Sequence, residues 1–323
     1  MGVALTLLVA SLSYAQTFTV LHEFAGFPND GRMPTAPLIE DSAGNLYGTA
    51  YAAGKFGGGI VFKLNPNGHE TVLHNFSSGS YGARGANAYG LVRDAAGNLY
   101  GTTFEGGDLS CNPGHGCGTV FKLDTSNRLT VLHAFHWTDG SGPNSGLILA
   151  ADGTLYGTTA GGGNGPTGTV FTVDTVTGHL TLLKSFPSSF GGPTGSIAID
   201  AAGNLYGATY FGGGPSCTCG TVFELEAGAG FTVMWEGKDG MTPLGGVTLG
   251  SDGNLYFTTS GFGDACSHTC GAVFRLNPAT YQATMLYSFT GLADGAYPAA
   301  GLALDSEGTL YGTTAFGGKT TTP

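Results

Sequence analysis

Charge is scarce in this chain. Of 323 residues only 10 % are Asp, Glu, Lys or Arg, and the 11 Lys and Arg face 22 Asp and Glu. Basic residues so few and so scattered exclude a nucleic-acid partner, because phosphate-backbone recognition needs clustered Lys and Arg. The formal net charge of -11 reads mainly as a solubility device and leaves weak binding of a divalent cation open. Helical periodicity is missing beyond the first residues, which excludes a helical bundle or coiled coil. After the N-terminus no apolar run is long enough for a transmembrane helix. Neither the HExxH zinc motif nor the GxSxG nucleophile elbow occurs, so two legible hydrolase signatures are absent.

Glycine, in contrast, makes up 59 of the 323 residues, about 18 % against a usual ~7 %. Hydrophobic residues hold at 41 %, so a core can form and neither a collagen-like nor a disordered chain fits. Dense turns with little charge suit many small sheets packed face to face.

The chain is organised around DAAGNLYGTT at residues 94–103, close variants of which recur along its length. They place Tyr47, Tyr100, Tyr156, Tyr206, Tyr256 and Tyr311 in register, with spacings (by subtraction of these numbers) of 53, 56, 50, 50 and 55 residues. A repeat of this size signals stacked units that share a continuous core. Within each unit four β-type runs alternate with turn residues. In the second unit they are GLVRD (90–94), NLYGTT (98–103), GTVFKL (118–123) and TVLHAF (130–135), here called a, b, c and d. Four antiparallel strands repeated around a ring make a β-propeller, so the expected fold is all-β, with about six four-stranded blades and an incomplete closing blade.

The a–b turn is the most legible local element. Asp94 can accept bonds from turn amides, and Gly97 can take a positive φ in a type I turn closed by a bulge. Asp41 with Gly44, Asp200 with Gly203 and Asp305 with Gly308 match, whereas Ala150 and Gly250 replace the aspartate and Gly153 and Gly253 persist. The persistent glycine marks a demand on backbone geometry. In the d–a connection Pro34, Pro143, Pro193, Pro243 and Pro298 precede strand a, where proline fixes φ without needing a ladder bond; Asn87 takes that place in the second unit.

The two ends carry their own expectations. Residues 1–15 combine a short apolar run with a Ser13-Tyr14-Ala15 end of small-x-small form, and read as a signal peptide that lacks a positive n-region. That lack suggests a misplaced start codon or a clipped gene. The remainder, 16–323, reads as one propeller domain. TVLHEF from Thr19 supplies an extra d run, the sixth unit holds a and b, and no sixth c precedes Pro323. The expectation is a chain truncated at its C-terminus.

The combination of LYGTT, Gly-Gly loops, GTVFKL and TVLHxF resembles the Gloeo/Verruco (GloVer) tandem-repeat proteins over nearly all of the mature chain. That resemblance implies an exported bacterial protein of a group carrying variable C-terminal anchors, and brings no catalytic residues with it. More distantly, GLVRDAAGNLYGTT followed by GTVFKLD is similar to the hairpin rhythm of NHL-repeat and gluconolactonase-like propellers, which transfers fold only.

Candidate chemistry is thin. Six cysteines fall in b–c connections as Cys111 with Cys117, Cys217 with Cys219 and Cys266 with Cys270. In an exported chain they read as disulfides. Cys217 and Cys219 form a tight ring if paired, so pairing with Cys266 and Cys270 stays open, as does a four-cysteine zinc site there. His115 and His268 lie in the same loops and read as solvated. GNGPTG at 163–168 matches a dinucleotide fingerprint by letter, but precedes a strand where that fingerprint needs a helix. His22, His74 and His133 share one position of strand d with Lys184, Trp235 and Tyr287, which reads as a tolerant packing position.

The Asp-Gly connections at Asp30, Asp139, Asp239 and Asp294 are turn formers. Their carboxylates are also the weak candidates for a metal, with calcium the cation considered, or for glycan hydroxyls, because d–a and b–c loops share one face of a propeller. No catalytic or cofactor-binding residue is assigned and no resident cofactor is expected. The expected function is a secreted or cell-surface binding and scaffold module, with a glycan or a protein as partner. The alternative is an extracellular propeller enzyme (lyase, lactonase or glycosidase) acting on the same loop face.

Overall fold

In the computed structural model the described residues are 19–34, 36–77, 85–212, 219–228, 230–238, 241–261 and 270–318. The expected signal peptide, Cys217, Asp239, Cys266 and His268 lie outside them.

The a–b turn forms as its sequence dictates. Asp94 N–H donates to Asn98 O and Gly97 N–H to Asp94 O, both at 3.0 Å, and Gly97 holds φ 92°, the type I turn with a glycine bulge. The aspartate does more than shape the turn. Asp94 Oδ1 accepts from Asn98 N at 2.8 Å, and Oδ2 accepts from Asn98 Nδ2 at 2.7 Å and from the Tyr100 hydroxyl at 3.0 Å. Tyr47, Tyr206 and Tyr311 donate in the same way to Asp41, Asp200 and Asp305. Where Gly250 replaces the aspartate, Asp252 takes over, and Tyr256 donates to it at 2.8 Å. Aspartate and tyrosine of the repeat signature are thus two halves of one clamp, which the sequence reading had treated as separate features.

Each hairpin extends into a sheet. The second unit pairs Ala86–Arg93, Leu99–Glu105, Thr119–Leu123 and Leu129–Ala134 in the antiparallel order a-b-c-d. The third, fourth and fifth units repeat that order. The first departs from the expected four strands by adding Gly31–Arg32 and Ala52–Ala53, giving a six-stranded sheet. The sixth is a hairpin of Ala303–Leu304 with Leu310–Tyr311. Residues 19–24, expected as a d strand, carry no strand assignment. Among the described residues there is no helix, hence none long and apolar enough to cross a membrane.

The units meet through a repeated aromatic contact. Phe24, Phe76, Phe135 and Phe186 reach Phe62, Phe121, Phe171 and Phe223 of the following unit, with ring centroids 5.0–5.3 Å apart. Such tilted or edge-on pairs are favourable beyond their area. The receiving ring fits because the LYG glycine of strand b lies beneath it: a Cβ on Gly101 would sit 2.7 Å from Phe121 Cζ, and one on Gly157 2.6 Å from Phe171 Cζ. The fifth unit solves the same problem differently. Phe257 replaces the glycine, stacks on Phe274 at 13° and 5.3 Å, and Trp235 fills the interface. The proline expected only to smooth entry into strand a packs its ring on the glycine that opens strand c of the preceding unit, as Pro143 does over Gly118 and Pro243 over Gly220. At the centre the backbones of neighbouring a strands touch, and a Cβ on Gly195 would strike the Gly245 backbone at 2.2 Å. The fold is therefore a β-propeller of six units arranged around an axis.

Three outcomes follow. Gly101→Ala destabilises by about 2 kcal/mol through overpacking against Phe121, read as a lower urea midpoint at an unchanged slope. Tyr100→Phe costs about 1 kcal/mol as the Asp94 bond is lost. The third concerns pH. Partial burial pushes the Asp94 carboxyl up, but the bonds from Asn98 and Tyr100 outweigh it and the group lies below its ordinary value. Asp41, Asp200 and Asp305 are lowered as well. A carboxyl depressed in the folded state stabilises above its unfolded value, about 3.9, and that stabilisation is lost as pH falls through the folded value. Urea midpoints are thus flat from pH 7 to about 5 and fall below about 4, and Asp94→Asn makes that fall shallower.

Candidate functional site

The inner strands enclose an axial cavity of about 840 Å³ with contributions from all six units, among them Pro37, Tyr89, Ser145, Thr194, Thr248 and Leu302. Its described wall is Gly, Ala, Ser, Thr and Asn with a few larger side chains, and holds no Asp, Glu, His, Lys or Arg. Polar groups there are hydroxyls, one amide and backbone. Some of these hydroxyls tie one unit to the next: Thr102 donates to Ser145 O at 3.2 Å, Thr194 to Pro243 O at 2.6 Å and Thr248 to Leu302 O at 2.7 Å.

One mouth of this cavity is aromatic. Tyr89 on the wall packs edge-on against Tyr51 at 5.6 Å and against Phe104 at 6.4 Å. Burial pushes the Tyr89 hydroxyl above its ordinary pKa, with Tyr51 adding to the effect; burial and the Glu105 carboxylate do the same for Tyr51, against a bond from Asn87. Both stay neutral donors at physiological pH. Tyr210 lies on the cavity wall and meets Phe211 edge-on at 4.4 Å. Phe27, Phe56, Trp137, Tyr210, Phe211 and Phe316 are all exposed, and all lie in or at the ends of d–a or b–c connections. Those two kinds of connection join on one face, as bridges from Ser141 to Gly161 and from Ala296 to Phe316 show. The a–b and c–d turns of the opposite face carry one exposed aromatic among the described residues, Tyr281. Sequence reasoning searched the loops for acids and missed this collar. The signal was present as a bias of Phe, Tyr and Trp toward b–c and d–a loops and away from a–b turns.

The Asp-Gly residues do not converge on this mouth. Each described one is held within its own connection by the strand d that leads into it. Asp139 lies 3.0 Å from His133 Nε2 and accepts from His136 N at 2.8 Å. Asp294 accepts from the Tyr287 hydroxyl at 2.9 Å and from Thr290 N at 2.8 Å. The Thr290 side chain and backbone, with Tyr287, hold the Asp294 pKa at about 2. Asp30 accepts from Ala25 N at 2.6 Å and has His22 Nε2 at 3.4 Å. His22, His133 and Tyr287 therefore share a polar task, which corrects their reading as a tolerant packing position. Where the loop lacks the aspartate, Lys184 instead sits 4.0 Å over the Phe231 ring. Asp30 differs from the others in having a second acidic neighbour, Glu70, which with His22 completes a three-residue group whose ligand atoms all lie within 4.8 Å of one another.

Cys111 and Cys117 are joined by a disulfide within the b–c connection of the second unit, their Cα atoms 5.8 Å apart. Cys219 and Cys270 each take part in a disulfide whose partner lies outside the described residues. His115 is exposed in the first of these loops and pairs with Glu105 at 3.1 Å. The GNGPTG segment lies between strands b and c of the third unit with no helix after it.

Comparison with solved structures returns the same architecture at low identity. The extracellular domain of a protein assigned as a hybrid two component system of B. thetaiotaomicron aligns with TM-score 0.56 and 13% identity, over 87% of this chain and 32% of its own length. This chain thus spans about a third of that protein. A Bacteroides fragilis protein assigned as a 6-phosphogluconolactonase gives 0.55 and 18%, over 88% and 79% of the two chains. An oligogalacturonate lyase solved in complex with manganese gives 0.55 and 12%, over 88% and 71%. These likenesses show the fold alone. Among curated proteins none matches. The model of one family, described as the Gloeobacter/Verrucomicrobia repeat, matches residues 8–148 and 111–322. With those two matches spanning nearly the whole sequence, the chain belongs to the Gloeobacter/Verrucomicrobia repeat family.

Proposed function

We propose that this chain is a non-catalytic binding module that works outside the cytoplasm and takes a neutral, hydroxyl-rich ligand, a glycan, on the aromatic face above the axial cavity. The observation that carries this reading is the make-up of that mouth: exposed aromatic faces around a described wall of hydroxyls and backbone with no acid or base. Aromatic rings offer flat apolar area to the C–H faces of a sugar, and neutral donors and acceptors read its hydroxyls. Loops over a rigid scaffold are where such recognition is built. The disulfide at Cys111 and Cys117 suits an oxidising compartment.

The competing enzyme would need an acid, a base or a metal at the reacting atoms. On the described wall only tyrosine hydroxyls could serve; Glu105, which acts on Tyr51, is paired with His115, and Asp139 and Asp294 are engaged by their own strands. Binding without turnover is the better match.

Isothermal calorimetry against a panel of neutral and acidic oligosaccharides tests this. At least one neutral glycan binds, Tyr89→Ala combined with Tyr210→Ala weakens it by about tenfold or more, and the bound glycan is recovered intact. Cleavage of the glycan, or affinity unchanged in the double variant, contradicts the reading.

A further inference from the structure

Among the described residues the first unit sets an acid, Glu70, at a strand-d position that is not acidic in the other complete blades. Near the start of strand d in each complete blade one residue pairs with the last apolar residue of strand c. That residue is Leu129, Leu180, Phe231 and Ala283 in the second to fifth units, and Glu70 in the first. The exception matters because Lys184, at the strand-d position of His22, sits over Phe231 of the next unit. His22 has the Glu70 carboxylate there instead, 3.8 Å from Nε2.

The resulting group is poorly satisfied by protein alone. His22 Nε2 lies 3.4 Å from Asp30 Oδ2 and 3.8 Å from Glu70 Oε2, and the side chains are only 20%, 14% and 12% exposed. Nε2 of His22 and Oε1 of Glu70 are both buried without a hydrogen-bond partner, an arrangement that costs free energy unless something else fills it. Two carboxylates share this space. The geometry of the group is nevertheless fixed from outside: Ala25 N and Gly31 N donate to the two Asp30 oxygens at 2.6 and 2.5 Å, and Phe24 packs edge-on against the His22 ring at 4.8 Å. Ligand orientation by such outer contacts is typical of metal sites.

We propose that His22, Asp30 and Glu70 bind a divalent transition metal, of the zinc or manganese class, that clasps the N-terminal segment to the first blade. One imidazole nitrogen and two carboxylates suit those ions, whereas calcium prefers six to eight oxygens. Three protein ligands leave further positions for water. The clasp lies where the architecture needs it, because residues 19–24 have no strand ladder and are held to the first unit by side chains and by the close approach of Leu21 O to Gly68. His22 comes from that segment, Asp30 from the residue before the short strand Gly31–Arg32 and Glu70 from strand d of the blade (Glu70–Ser77), so one ion joins the segment to the first unit.

The test is calorimetric titration of the oxidised chain with zinc, manganese and calcium, paired with thermal unfolding. The expected result is one zinc or manganese ion per chain at micromolar or tighter affinity, with a raised unfolding midpoint. Glu70→Leu adopts the residue of Leu129 and Leu180, and His22→Tyr that of Tyr287; each folds cooperatively and loses affinity by at least about tenfold. His133→Tyr, at the matching position two units on, leaves metal binding unchanged. Wild-type chain that binds neither zinc nor manganese at 100-fold molar excess, variants that bind as tightly as wild type, or a preference for calcium each overturn the proposal.

Discussion

A phenylalanine from the outer strand of one unit leans edge-on against a phenylalanine from strand c of the next, and the ring of units depends on that contact. It recurs from Phe24–Phe62 to Phe186–Phe223 within a narrow range of separation. Its geometry requires the strand beneath to carry no side chain, hence the glycine of LYG at Gly48, Gly101, Gly157 and Gly207. The fifth unit is instructive because Phe257 breaks the rule and the interface is rebuilt around Trp235 and a stacked pair. The repeat thus specifies volume at an interface, and alternative residues are admitted when the volume is redistributed.

With blade packing set by these rings, the aspartate–tyrosine clamp fixes one end of five of the six units and leaves the other end to vary. The clamps hold the a–b turns alike in all but the third unit, where Asp152 bonds Thr154 N in the turn. The opposite face has no such uniform device. It carries the disulfide loop of the second unit, the short extra strands of the first and the scattered exposed aromatics. A rigid, repetitive face and a variable one are what a scaffold for recognition consists of.

Much of this was legible beforehand. The period, the four runs per unit, the glycine turn and the incomplete sixth unit can all be read from the letters because each is a local pattern with a period of two or a required positive φ. What was not legible is which element meets which. The match of Pro143 to Gly118, of Gly101 to Phe121 and of Asp139 to His133 each joins residues that no local pattern pairs. The His22, Asp30 and Glu70 group is the extreme case, since of the three only Asp30 reads as a metal candidate from the letters, His22 reads as a packing position, and Glu70 is notable only once the register shows it standing at an apolar position. The exposed aromatics of the b–c and d–a connections follow no motif or fixed spacing, and stand out only once the fold places those connections on one face.

The account's central claim is that recognition belongs to the aromatic face and not to the clamped turns. Hydrogen–deuterium exchange with and without the glycan mixture tests it most directly. The account predicts added protection in the connections around Tyr51, Trp137 and Tyr210 and in the cavity strand carrying Tyr89, with the a–b turns at Asp41, Asp94 and Asp200 unchanged. Protection confined to those turns, or to strand edges away from the cavity, would contradict it.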